Sequence, residues 1–182
     1  MSDHDRVAEP DLVVRVADER DEAALAGLRR AWLEERTGGP VDDPGFEAAF
    51  AQWWRLELPR RTFWLAEAGS ERSGWTPVGS INVVEIVHMP RPGARGGRIG
   101  QVGSAFVLNA FADRGVAGAL LARAVQHARE RRYRRLVLAP TGSSASFYMR
   151  AGFLPAGESL LVLDPMALPD PAAVPGTLSG HA

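Results

Sequence analysis

Between Gln101 and Gln126 the sequence QVGSAFVLNAFADRGVAGALLARAVQ changes its hydrophobic period once, and this change constrains the fold more than any other feature. Val102, Ala105, Phe106, Val107 and Leu108 form an apolar run marked off by Gly103 and Asn109, which reads as a strand. After the connection NAFADRG, Val116, Leu120, Leu121 and Val125 recur at helical spacing among Ala and Arg. The joint holds only small side chains around Val116: Gly115, Ala117, Gly118 and Ala119. A strand that enters a helix through small residues leaves the first helical N–H groups unblocked. Together with the positive end of the helix dipole, these donors suit a phosphate. The same residues would equally let the helix pack close to a sheet, and spacing alone does not separate the two readings.

The rest of the chain supplies partners for this unit. Leu12–Ala17 reads as a first strand, with Asp18 as N-cap of a helix from about Arg20 to Glu35 that carries Leu25, Leu28 and Trp32 on one face. TGGPVDDPG breaks that helix, and Asp43-Pro44 starts a second one as cap and first turn. Its apolar face is Phe46, Ala49, Phe50, Trp53 and Leu56, at the packing period, which reads first as core. Thr62–Ala68 and Pro77–Val87 are the next two strands. Glu85 shares a face with Ile81, Val83 and Val87; burial there would raise its pKa and make it a candidate base, whereas a strand-end position would leave it in water. His88, at the exit of that strand, reads as a surface imidazole, and MPRPGARGGR as a flexible basic loop. Tyr133–Ala139 forms a further strand, TGSSASFYMRAG a short helix with Ser or Thr caps, and Ser159–Asp164 a last strand. Residues 1–10 and the Pro-, Ala- and Gly-rich residues 165–182 are expected to be loose. The order β-α-α-β-β-β-α-β-α-β predicts an α/β (α+β) fold: a mixed, mostly antiparallel sheet with helices on both faces.

Composition narrows the function. With 46% hydrophobic and 24% charged residues, 182 residues suit one soluble domain. All 21 basic residues are Arg, and the net charge of −1 gives no reason to expect nucleic acid or an anionic membrane as partner. The absence of Cys excludes disulfides, thiolate metal sites and an acyl-cysteine intermediate. There is no His cluster with metal-ligand spacing, no apolar run of membrane-spanning length and no secretory pattern in MSDHDRVAEP, which together predict a cytoplasmic protein without a metal.

The run V-L-N-A-F-A-D-R-G-V-A-G resembles the central motif of the GNAT superfamily of N-acetyltransferases, a strand ending V-x-P-x-Y followed by (Arg or Gln)-x-x-Gly-x-(Gly or Ala) into a helix. Val107, Phe111, Gly115 and Ala117 match it, while Asn109 replaces the Pro and Ala112 the Arg or Gln; Arg114 stands nearby as a substitute. Downstream, Phe147-Tyr148-Met149-Arg150-Ala151-Gly152-Phe153 is similar to the family's F-Y-x-x-x-G-F, and the resemblance spans residues 11–164. It implies a splayed parallel strand pair that admits the pantetheine arm of acetyl-CoA. Backbone groups of Ala105, Phe106 and Val107 would pair with that arm, one of their N–H groups serving as oxyanion donor. Backbone N–H groups of Asp113, Arg114, Gly115, Val116, Ala117 and Gly118 would hold the pyrophosphate.

The resemblance also implies that Tyr148 protonates the departing thiolate, and that the first two helices shape the site of a small-molecule or peptide amine acceptor. A share of the aromatics in the second helix would then line that site. Where relatives carry a base, this chain has Gln101 and Gly103, so the base is Glu85, an ordered water, or none because the acceptor arrives neutral. The chain is expected to transfer the acetyl group directly within a ternary complex, and the fold is compatible with a homodimer. A CoA-binding regulatory module without catalysis stays open because of Ala112 and Gln101. A nucleotide-binding domain is disfavoured by the missing phosphate-loop Lys.

Overall fold

Alternating apolar residues in successive segments build one five-stranded sheet, in the spatial order β1-β2-β3-β4-β5. The strands are β1 (Asp11–Val16), β2 (Arg61–Ser70), β3 (Gly74–Val87), β4 (Arg98–Val107) and β5 (Leu136–Val137). All neighbours pair antiparallel except β4 and β5, which run parallel. The computed structural model describes residues 10–93, 96–142 and 144–156. The chain divides into two units, Met1–Ala139 and Pro140–Ala182. The first holds the sheet with α1 (Glu22–Thr37), α2 (Phe46–Glu57) and α3 (Val116–Glu130); the second holds α4 (Ala145–Arg150).

Strand parity assigns the two faces of the sheet. Phe63 and Leu65 of β2 form a core with Leu25 and Leu28 of α1 and Trp54 of α2. Between them, Trp64 points the other way and meets His127 of α3, ring centroids 5.2 Å apart. On that second face α3 buries Val116, Leu120, Leu121, Ala124 and Ala128, while Val125 is only half-buried. The two alanines let the helix approach the sheet closely, and burial of a side chain such as Leu120 stabilises by about 2 kcal/mol. Gly100 marks the tightest point on the α3 side. A Cβ there would lie 2.6 Å from Leu136 and 2.8 Å from both Tyr133 and Val83.

The entry to α1 is tied down by charge. Arg15 donates two bonds of 2.7 Å to Asp21 and two, of 2.8 and 3.1 Å, to Glu67, joining β1, the start of α1 and β2. The Arg15 hydrogen bond, with the backbone N–H of Asp18, holds the Asp21 carboxyl below its ordinary range against the opposing effect of burial. Asp18 caps as expected, but its helix is first a short 3-10 turn, Glu19–Asp21, closed by a reciprocal capping box.

Four expectations are corrected. In α2 the buried residue is Trp54, whereas Leu56 is 67% exposed. The helix starts at Phe46 behind Gly45, without a side-chain cap; Asp43 Oδ1 instead accepts the Gly45 N–H at 3.1 Å, a local turn that competes with capping. The strand expected over Tyr133–Ala139 shortens to Leu136–Val137, because Arg132 turns the chain at φ 56° and pairing with β4 stops at Gln101. Ser144 precedes α4 but makes no side-chain cap bond. Residues 1–9 of the stretch 1–10 expected to be loose, the strand expected at Ser159–Asp164 and the tail 165–182 lie outside the described residues.

Candidate active site

β4 carries the irregularity on which the site depends. Its register to β3 shifts between Ser80 and Asn82: Gly103 opposes Asn82 and Phe106 opposes Ser80, so Ser104 and Ala105 together face Ile81. This is a bulge, and Ser104 occupies the left-handed region at φ 46°. Gly103 inside an apolar strand is the sequence signal for it. Asn82, fully buried, fixes the strand just before the bulge. Its Nδ2 donates to the Gly103 carbonyl at 3.0 Å, and its Oδ1 accepts from Arg61 at 3.3 Å. Arg61 is held in turn by Glu57 and lies over Trp53 at 5.5 Å.

Among the described residues β4 has an open edge beyond the bulge, since β5 pairs with it at Gly100 and Gln101. The Leu108 N–H donates to Val78 O at 2.9 Å, so alternation turns the backbone of Phe106 toward β3 and that of Val107 toward the open edge. Ala105 faces outward by the same alternation. Of the three residues expected to offer backbone groups, Phe106 therefore differs: its backbone pairs with Ser80, and its side chain forms part of a cavity wall.

The open edge leads to α3. Gly115 is its N-cap at φ 75°, a conformation that favours glycine. It makes no side-chain cap bond, and the first turn contains no acidic residue. The first bond back to the cap runs from Ala119 N–H to Gly115 O, so Val116, Ala117 and Gly118 present N–H groups that the helix itself leaves unpaired. A Cβ at Gly115 or Gly118 would meet nothing within 4 Å. Asp113 and Arg114 are exposed in the preceding turn, and the Arg114 guanidinium stands 5.2 Å from the Phe111 ring centre. An uncrowded, non-acidic helix start with spare N–H groups fits a pyrophosphate.

On the α1–α2 face, beside the bulge, lies a cavity of about 400 Å³. Its walls are mainly aromatic: Trp32 from α1, Phe46, Phe50 and Trp53 from α2, Phe63 from β2 and Phe106 from β4. Ser80 and Ser104 contribute hydroxyls and Arg29 a guanidinium. The aromatics of α2, read first as core, thus border a cavity, and only Trp54 is fully core. Arg29, Ser104 and Asn82 escaped the sequence reading. A lone polar residue inside the apolar run SINVV was the available signal for Asn82; Arg29 carried none.

Glu85 belongs to the other face. It follows Ile81 and Val83 by parity and bonds Arg131, next to the end of α3, at 2.9 Å, with Arg98 at 3.6 Å. Burial raises its pKa, but the Arg131 hydrogen bond, the nearby Tyr133 hydroxyl and the two Arg charges together outweigh this and hold the carboxyl below its usual range. The expected upward shift is thereby corrected, and Glu85 is not among the residues lining the cavity. Gln101 is exposed on β4, and His88 lines a second hollow of about 490 Å³ with Arg91, Arg134 and Arg135.

In the second unit, Tyr148 sits in α4 between Phe147 and Phe153, ring centroids 5.1 and 5.6 Å away. Burial pushes its phenol above the ordinary value, so it remains a proton donor at neutral pH. Among the described residues there is no group of three or more His, Cys, Asp or Glu able to hold a metal, and no helix is long and apolar enough to cross a membrane.

Comparison with known proteins agrees with this geometry. The family model described as "Acetyltransferase (GNAT) family" matches residues 25–153. A predicted acetyltransferase from Clostridium acetobutylicum, solved with acetyl-CoA, superposes with a TM-score of 0.70 at 20% identity over 88% of this chain and 100% of that one. Glucosamine-6-phosphate N-acetyltransferase from Arabidopsis thaliana gives 0.63 at 13% identity over 85% and 97%. An aminoglycoside N-acetyltransferase in complex with CoA gives 0.63 at 16% identity over 86% and 96%. At these identities the likeness establishes the fold. No curated protein matches the chain.

Proposed function

Because the chain belongs to the acetyltransferase (GNAT) family, we propose that it transfers an acetyl group directly from acetyl-CoA to an amine, with both substrates bound at once. The observation that carries this reading is the continuity of three features in one unit: the open, bulged edge of β4, the bare start of α3 and the adjoining cavity. Outward-facing backbone of Ala105 and Val107 suits the amide-bearing arm of acetyl-CoA as an added strand. The N–H groups of Val116, Ala117 and Gly118 suit its pyrophosphate, with Asp113, Arg114 and Gly115 forming the turn that presents them. A backbone N–H beside the bulge stabilises negative charge on the acetyl oxygen.

The reaction joins the amine nitrogen to the acetyl carbon and breaks the C–S bond, giving amide and thiol. The amine loses one proton and the thiolate takes one. For the second transfer we assign the Tyr148 hydroxyl, on the strength of the F-Y-x-x-x-G-F motif and its raised pKa. For the first, the described residues of the cavity wall include no carboxylate or imidazole, which favours an acceptor that reacts as the neutral amine and releases its proton to water. Calorimetry with acetyl-CoA and thiol release across a panel of amines test the reading. Saturable binding with acceptor-dependent thiol release is expected. Binding without release from any amine would point instead to the regulatory module, and no binding would overturn the assignment.

A further inference from the structure

We infer that the cavity beside the bulge selects an acceptor with an apolar or aromatic body and a carboxylate, an apolar amino acid or close analogue, and that Arg29 is the residue that holds the carboxylate. The inference rests on the transferase reading above and deepens it. Charge in the cavity is one-sided among the described residues: Arg29 is the single charged one lining it, and no described Asp or Glu joins it. A polycationic acceptor would find no counter-charge there, whereas an anionic group would find one at the rim of an aromatic enclosure.

Arg29 is also uncommitted. Its neighbour Arg30 is committed, bonding Glu47 twice and the carbonyls of Val41 and Asp43. Arg29 by contrast makes no hydrogen bond or ion pair among the described residues. Its one partner is the Trp32 ring, 4.0 Å below its guanidinium carbon. A ring contact spends none of the guanidinium's hydrogen-bonding capacity, which suits a two-pronged bond to a carboxylate. Arg29 is exposed, so a ligand can reach it, and partial desolvation by the groups packed around it lowers its pKa. A cavity of about 400 Å³ matches a body the size of a leucine or phenylalanine side chain with its backbone atoms.

The test is calorimetric binding of L-phenylalanine and L-phenylalaninamide to the full chain in the presence of CoA, for wild type, Arg29→Met and Arg29→Lys. Wild type should bind the acid about 10–100-fold tighter than the amide, the range of a charge-assisted bidentate pair. Arg29→Met should abolish the preference without changing acetyl-CoA affinity, and Arg29→Lys should keep part of it. Acid and amide bound equally by wild type, or a preference that survives Arg29→Met, would overturn the inference. Acetyl-CoA titrated alone reads the donor site separately. Failure there with the acid preference intact would sink the transferase reading and leave the carboxylate site standing.

Discussion

Glu85 lies one residue from the cavity face of β3, and that single step decides its chemistry. Val84 on one side and Glu85 on the other alternate between the α1–α2 face and the α3 face, and Glu85 falls among arginines. Sequence parity grouped it correctly with Ile81 and Val83 but could not tell which face carried the cavity. It also had no means of seeing Arg98 and Arg131, which are distant in the chain. We expect Glu85→Gln to leave kcat/KM nearly unchanged, where loss of a true base costs on the order of 10²-fold or more. The pH profile should follow the pKa of the acceptor and move when the acceptor is changed; an acidic limb that vanishes in the variant would reinstate Glu85. Tyr148 is the opposite case, a residue named by its motif alone. Tyr148→Phe keeps the ring between Phe147 and Phe153 and should lower kcat by about 10²–10⁴-fold with CoA affinity retained, as steady-state kinetics and calorimetry would show. An unaltered kcat with a good acceptor would remove it from the mechanism.

Among the elements, α3 was legible because its period and its small-residue start are written locally, although its end at Glu130 was not read. β4 was legible as a strand but not as a bulged one: the extra residue is defined only against β3, and a lone Gly103 signals it weakly. β5 was overread, since an apolar run cannot announce where its neighbour diverges. The start of α3 offers a test that separates folding from binding. Gly118 stands at the third helical position, exposed and with open space around it, where an aspartate favours the helix dipole by about 0.3–1 kcal/mol. Gly118→Asp should therefore leave Tm unchanged or slightly raised while weakening CoA at least about tenfold through repulsion of the pyrophosphate. Unweakened binding in calorimetry would place the phosphate elsewhere.

At the scale of the whole sheet, the α3 side carries a pH-sensitive contact. Burial, aided by the Arg131 charge, depresses the pKa of His127, which is wedged between Trp64 and Tyr133. The folded chain thus binds its proton less readily than the unfolded one. The stability it contributes is complete above about pH 6.5 and drains as pH falls below that value toward the folded pKa. Thermal melts should show Tm falling from pH 7 to pH 5.5, and the fall should be smaller in His127→Phe, which keeps an aromatic ring in place. Equal slopes in the two proteins would exclude His127 as the source. Asp21, whose folded pKa is depressed by Arg15, adds a second loss only at lower pH, below its unfolded value of about 3.9.

On the proposed reading the bulged edge of β4 and the start of α3 act through main-chain atoms, whereas the cavity beside them is walled largely by side chains, many of them from α1 and α2. Inheritance treats these two kinds of wall differently. Substitution can erase Trp32, Phe46, Phe50 or Trp53 one codon at a time, but only proline removes a backbone N–H. On that reading, a lineage with this architecture could exchange one acceptor for another while keeping its hold on the donor. A laboratory library randomised at those four aromatic positions should then explore new acceptors from a background that retains acetyl-CoA binding.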